Sequence, residues 1–260
     1  GCFDLHFILE GKFYCDTYGI DTMSRFTGMA FVMECFENGI IDKEYTGGLE
    51  LRFGSTEDAL ECLHQMARGE GFGKEMGQGI AYLKEKFIRE RGADPAFLKD
   101  IGMEVKGLEF SEYVSKESLA QQAGYSMAVK GPQHDEAWLI FMDMVNNQIP
   151  TFEDKAEALY YFPLWRTWFG LLGLCKLPWN DVVPSDNSKH PPLVAAKIPD
   201  HTNNYYKFFE GMTGKKLDEA GMLEQSARVH NLQRIMSFML GKGTREHDLP
   251  PYRAMGPVTT

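Results

Sequence analysis

Between Ser55 and Gly71 the chain reads STEDALECLHQMARGEG, and its apolar positions Leu60, Leu63 and Ala67 fall on one face at helical spacing. Ser55 stands three residues before Asp58, a capping-box-like start, and Gly69 lies just past the last periodic position. The stretch 21–39, DTMSRFTGMAFVMECFENG, predicts a second helix: Asp21 or Thr22 caps it, Met29, Phe31, Val32 and Cys35 face inward, and Gly39 ends it. Helical patterns continue through 72–87, 116–131, 136–145, 152–162, 204–214 and 224–243. Only LELRFG (49–54) and MEVKGLEF (103–110) alternate in the manner of strands. The expected fold class is mainly α, in two helical domains, 1–100 and 101–260, with the boundary between Gly92 and Lys106. A Pro-rich connection, 181–204, is too long for an ordinary interhelical loop and is expected to be functional or mobile.

With 43% hydrophobic and 25% charged residues over 260 positions, the chain can bury a core and is not of disordered composition. Its net charge of −10, without a Lys/Arg stripe, argues against nucleic acid and against an anionic membrane surface. The most apolar stretch, Ala158 to Trp179, is interrupted by Pro163, Arg166, Lys176 and Pro178, so no membrane span is expected. Five cysteines (Cys2, Cys15, Cys35, Cys62 and Cys175) are an odd number at irregular spacing and read as reduced and intracellular. The chain opens at Gly1 directly into apolar sequence and stops at GPVTT, and the expectation is a fragment of a longer protein.

Cys175 lies in WFGLLGLCKLPWND (168–181), among Trp, Phe and Leu. It is either a small buried apolar side chain or a ligand, and composition alone favours the former. Two hexamers share a frame: DTYGID (16–21) and GLLGLC (170–175) both carry Gly followed by Ile or Leu and then Asp or Cys. Helix capping accounts for at least one of Asp16 and Asp21, and Gly19 and Gly173 serve equally as turn glycines.

These hexamers resemble the two pterin-binding motifs, Asp-x-x-Gly-Leu-(Asp/Cys), of the aldehyde:ferredoxin oxidoreductase family. The likeness continues in order through MAFVMECFENGII, GLELRFG, ARGEGFG, EVKGLEF and NLQRIMSFMLGKGTREHDLPP, across nearly the whole chain. It implies the family's second and third helical domains, a tungsten (or molybdenum) bis-pyranopterin, and a [4Fe–4S] cluster. The residue types suit that chemistry. Carboxylates at Asp16 and Asp21 can accept paired N–H bonds from a pterin edge. Gly19 and Gly173, beside Ile20 and Leu174, let backbone approach a flat ring. A thiolate at Cys175 can bind iron between cluster and pterin. The family's other three cluster ligands form a Cys-x2-Cys-x3-Cys run that this sequence does not contain, so this stretch alone is expected to be inactive. His134, in KGPQHDEAW, matches the family histidine near the substrate, where a group titrating near neutrality can move protons; its alternative is an ordinary hydrogen-bonding histidine at a helix start. His6, His64, His190, His201, His230 and His247 have no ligand spacing, and the aromatic run Tyr160 to Phe169 reads as core.

Three departures stand out. Gly170 replaces the leading Asp of the second motif, and Phe13 occupies the His position of the family's dimer-bridging Glu-x-x-His, here Glu10 to Phe13. Cys15 directly precedes Asp16, and in the class II benzoyl-CoA reductase branch a protein cysteine is itself a tungsten ligand, a role for which Cys15 is the best-placed residue. The resemblance therefore implies aldehyde oxidation with electrons passed to ferredoxin or an iron–sulfur subunit, completed by an N-terminal domain of the same chain. Aromatic-ring reduction with Cys15 on tungsten, and a non-catalytic helical scaffold, remain open beside it.

Overall fold

The computed structural model describes residues 2–111, 115–134, 136, 138–145, 147–174 and 199–255. The chain forms two compact units, Gly1–Tyr113 with Pro250–Gly256, and Val114–Leu249 with Pro257–Thr260. The first holds α1 (Leu5–Tyr18), α2 (Thr22–Glu37), α3 (Thr56–Arg68), α4 (Gly71–Met76), α5 (Ile80–Arg91), α6 (Pro95–Ile101) and a hairpin of β1 (Glu104–Val105) and β2 (Leu108–Glu109). The second holds α7 (Leu119–Met127), α8 (Phe152–Leu171), α9 (Pro199–Thr213) and α10 (Glu219–Met239); the short α11 (Tyr252–Met255) belongs to the first unit. The protein is mainly α, and the two-residue hairpin is the whole of its sheet among the described residues.

In the first unit α2 is the central element. Met29, Phe31, Val32, Met33, Cys35 and Phe36 are all buried, and they pack with Leu49, Leu51, Ala59, Cys62, Ile80, Leu83, Phe87 and Leu98. Burying such side chains is the main favourable term in the unit, roughly 1.5–3 kcal/mol for each large one. The inward face of α3 is Ala59, Cys62 and Leu63, while Ala67 is exposed, so the stripe begins one residue earlier than Leu60–Leu63–Ala67 predicts. The capping box is not formed. Ser55 makes no side-chain cap bond, its own N–H goes to the Arg52 carbonyl at 3.0 Å, and the Asp58 carboxylate accepts the backbone N–H of Glu50 at 2.9 Å.

That bond also explains why 49–54 is not a strand. Leu49 and Leu51 alternate into the core as expected, but the N–H groups of Glu50 and Phe53 go to the carboxylates of Asp58 and Glu37. Side chains satisfy this backbone where a neighbouring strand would otherwise do so. The helix predicted over 72–87 is two helices, broken at Gly77 to Gly79, where Gly79 takes φ +87°. Cys15, Cys35 and Cys62 are free and buried; burial pushes Cys35 and Cys62 up to about 12, so they are inert packing residues.

In the second unit Phe162, Trp165, Trp168 and Phe169 form the core of α8 and meet Tyr205 of α9, whereas Tyr160 is exposed. A capping box between Thr151 and Asp154 starts α8, which runs through Pro163 and ends well beyond the predicted stop at 162. The predicted helix over 136–145 is reduced to a π-helical turn, Phe141–Val145. The buried Gln121 side chain accepts the N–H groups of Leu139 and Ile140 at 2.8 and 3.0 Å. Asp143 is held by Ser118, Ala120 and Lys155, so the turn is tied to its neighbours by side chains. No helix among the described residues is long and apolar enough to cross a membrane.

Helices α1 and α8 end in the same way. Gly19 and Gly173 adopt φ +70° and +71°, and the next residue's N–H returns to the carbonyl five positions back, Ile20 to Cys15 and Leu174 to Phe169. These are Schellman closures. Nothing lies within 4 Å of an added Cβ at either glycine, so backbone conformation alone selects Gly. Gly19→Ala and Gly173→Ala are each expected to lose about 1–2 kcal/mol in urea unfolding. A second expectation concerns acid. Hydrogen bonds from Lys86, Tyr45 and Arg89 hold the Glu90 carboxyl down to about 2, against an ordinary 4.5. Between those values the unfolded chain binds more protons, so stability falls as pH drops through that window. Urea midpoints of Glu90→Gln measured against pH should show a shallower decline there than the unmutated protein.

Candidate functional site

The α1–α2 junction is built by two caps placed back to back. After the left-handed Gly19 comes Ile20, and then Asp21, whose carboxylate accepts the Ser24 N–H at 2.7 Å and starts α2. The inward stripe of α1 is Phe7, Gly11 and Cys15, spaced one turn apart. Asp16, next in sequence, therefore points away from it; Asp16 is exposed and pairs with Lys12 one turn back, a surface contact of little energetic weight. Cys15 is fully buried, and burial raises its thiol pKa, partly opposed by the nearby Arg25 cation. Phe13 and Glu10 are exposed on the outer side of α1.

Beside the junction lies a cleft of about 620 Å³ within the first unit. Ile20, Asp21, Ser24 and Arg25 form one wall, and Lys74, the Gly77–Gly79 turn, Gly107 and Glu109 form another. The turn is locked by Glu109, whose carboxylate accepts the Ile80 N–H at 2.9 Å. An added Cβ at Gly79 would stand 2.9 Å from that same carboxylate oxygen, so the turn and the Glu109 side chain require a glycine there.

Arg25 was not among the residues singled out from the sequence. It is 2% exposed; Nη2 donates to the Ala59 carbonyl at 2.9 Å, and the guanidinium lies over the rings of Phe26 and Phe7 at 4.5 and 5.5 Å. Nε and Nη1 are buried with no hydrogen-bond partner. The signal was present in the pattern: an arginine on the apolar face of α2, one turn after Asp21, where Met29, Phe31 and Val32 also turn inward.

In the second unit, Gly173 and Leu174 sit at the closure of α8, with Gly170 exposed in its last turn; Cys175 lies outside the described residues. His134 is half-buried in the turn between α7 and the π-helical turn, edge-on to Trp138 with ring centroids 5.3 Å apart. The structure thus brings Cys15, Asp16, Gly19, Ile20 and Asp21 to one junction, and places His134, Gly173 and Leu174 in the other unit. No group of three or more His, Cys, Asp or Glu side chains among the described residues could hold a metal ion. What the junction does fit is a flat ligand with N–H donors along one edge: open space faces Gly19, Asp21 lines the cleft, and only one of its carboxylate oxygens is committed to the cap.

The sequence matches the family described as aldehyde ferredoxin oxidoreductase, domains 2 & 3, over residues 1–260. A tungsten-containing aldehyde ferredoxin oxidoreductase of Pyrococcus abyssi is 32% identical over 98% of this chain and 39% of its own length. Its counterpart in Pyrococcus furiosus is 28% identical over 67% of this chain and 28% of its own length. An aliphatic sulfonate oxidoreductase, WOR-like subunit, of the same organism is 25% identical over 52% of this chain and 21% of its own. The chain therefore spans less than two fifths of the length of these relatives. It belongs to the aldehyde ferredoxin oxidoreductase family, in which it corresponds to domains 2 and 3.

Proposed function

We propose that this chain is the part of a tungsten oxidoreductase that cradles a bis-pyranopterin and supplies one ligand to an iron–sulfur cluster, in an enzyme that oxidises aldehydes to carboxylates. The observation that carries this reading is the match to the family's second and third domains over all 260 residues, with the first pterin-type motif opening onto a cleft. Aldehyde oxidation consumes one water and yields a carboxylic acid, two protons and two electrons. When bound, the tungsten–pterin group would supply a two-electron acceptor, and a [4Fe–4S] cluster would supply a one-electron route to ferredoxin or an iron–sulfur subunit, as expected of an anaerobic cytoplasm.

The protein's own groups have the following parts. Asp21 accepts N–H bonds from one pterin edge through the oxygen not used in the cap, and Asp16, exposed beside it, becomes available when it leaves Lys12. Gly19 and Ile20, and correspondingly Gly173 and Leu174, shape the backbone at the two pterins, and Cys175 is the cluster ligand. His134 takes up a proton released from the hydrated aldehyde, with Trp138 fixing its ring. The other cluster ligands and part of the substrate pocket come from an N-terminal domain of the same chain.

Ring or acyl-CoA reduction would ask Cys15 for a bond to tungsten. Its complete burial on the inner face of α1, and the raised pKa that keeps it a thiol, favour a packing role and so favour aldehyde oxidation. One observation favours a scaffold without activity: Gly170 leaves the second motif without its first carboxylate.

Metal analysis of the full-length protein, purified anaerobically, tests the proposal. About one tungsten and about four irons per chain are expected, and Cys175→Ser should lower the iron and leave the tungsten. A well-folded chain free of both metals would leave the scaffold reading. His134→Gln should cut aldehyde oxidation roughly 10²–10⁴-fold at unchanged tungsten content; an unchanged rate would remove His134 from the proton path.

A further inference from the structure

The second unit has a cavity of its own, about 250 Å³ in volume, between α7, α8 and α10. Its wall is mostly apolar, with Met127 and Ala128 at the end of α7, Leu159 and Leu164 on α8, and Ala227 on α10. An apolar cavity of about 150 Å³ is enough for a benzene ring, so an aromatic ring or a short aliphatic chain fits here. Tyr160 does not join the aromatic core of α8 and lines this cavity instead. It is 68% exposed and Met127 is 55% exposed, so the mouth carries large apolar surface that nothing covers within the unit.

Three polar groups interrupt that wall, and each has an acceptor to spare. Pro163 lies inside α8 and has no N–H, so the Leu159 carbonyl one turn earlier loses its usual helical donor. Leu159 and Pro163 both line the cavity. Glu136 accepts the Val129 N–H at 2.9 Å through one carboxylate oxygen, and the other takes no hydrogen bond from any described residue. His230, half-buried on α10, makes no hydrogen bond or ion pair with any described residue. A neutral imidazole offers one ring nitrogen as an acceptor. No Lys or Arg among the described residues lines the cavity, so the Glu136 carboxylate meets no cation there.

We infer that the α7–α8–α10 cavity binds a small primary amine, its apolar body against Leu159, Leu164 and Ala227 and its ammonium group on Leu159, Glu136 and His230. An ammonium group has three N–H donors and one positive charge. The wall offers three acceptors, one of them a carboxylate, and hydrogen bonds between two charged partners are the stronger kind. A neutral hydroxyl would satisfy one acceptor and leave the carboxylate uncompensated. The inference goes beyond the proposed aldehyde chemistry and does not depend on it.

The test is calorimetric titration of the full-length protein, purified anaerobically, with benzylamine, benzyl alcohol and toluene at neutral pH. One saturable benzylamine site per chain is expected, with a Kd roughly tenfold or more below that of the other two probes. Glu136→Gln, which keeps an oxygen for the Val129 N–H, should raise the benzylamine Kd about tenfold and leave that of benzyl alcohol nearly unchanged. Ala227→Leu should abolish binding of all three by filling the cavity. Folding of both variants is checked by circular dichroism; should Ala227→Leu not fold, Glu136→Gln decides, because it changes no volume. Absence of saturable benzylamine binding to the wild type overturns the inference. So does benzylamine binding that neither variant alters, because the ligand then sits elsewhere. Equal affinity for benzyl alcohol and benzylamine overturns the assignment of an amine.

Discussion

One residue separates the left-handed end of α1 from the cap of α2, and the first unit depends on that tight reversal. Gly19 closes one helix, Asp21 opens the next, and Ile20 alone lies between them. So short a connection leaves α2 little freedom in how it leaves α1. Arg25 and Phe26, one turn into α2, come to lie against the Phe7–Gly11–Cys15 face. A longer loop would permit the same helices to pair in another register. The caps are thus the source of the cleft geometry as well as the ends of helices.

The opposite wall of the cleft is set by a different device. Glu109, buried at the end of the two-residue hairpin, reaches the first free N–H of α5 and fixes the Gly77–Gly79 turn. A carboxylate at a helix N-terminus is favourable both for the hydrogen bond and for the helix dipole. Asp21 and Glu109 line the cleft together with Arg25 and Lys74, so acidic and basic groups are matched there in an otherwise acidic protein.

Recurrence of one closure at Gly19 and Gly173 gives the two family motifs a common mechanical basis. Each ends a helix with a left-handed glycine and sends the following apolar residue's N–H back five positions. The glycines are required by φ, and the open space beside them is a consequence available to a ligand. The two copies differ in their acidic groups: Asp16 and Asp21 flank the first glycine, whereas Gly170 precedes the second. The buried thiols divide in a comparable way, because Cys35 and Cys62 are held protonated by the core and serve only its packing.

Local chemistry made much of this legible beforehand. The inward positions Met29, Phe31, Val32 and Cys35, the cap at Asp21 and the stops at Gly39 and Gly69 follow from helical period and from glycine's access to positive φ, and the structure has all of them. The family likeness was readable because it resides in ordered short motifs. Wherever a side chain distant in sequence supplied the backbone's partner, local pattern failed. Asp58 and Glu37 took the N–H groups that would have made 49–54 a strand, and Gln121 took those at the head of 136–145. Arg25 belongs with them. The sequence by itself determined the helical faces and caps of α2 and the stop of α3, and where the pterin-type motifs lie, because period and caps act within a few residues. Only the tertiary structure decided that Arg25 is buried with two nitrogens unpaired, because that depends on what α1 and α3 bring against α2, and on the carboxylate they do not bring.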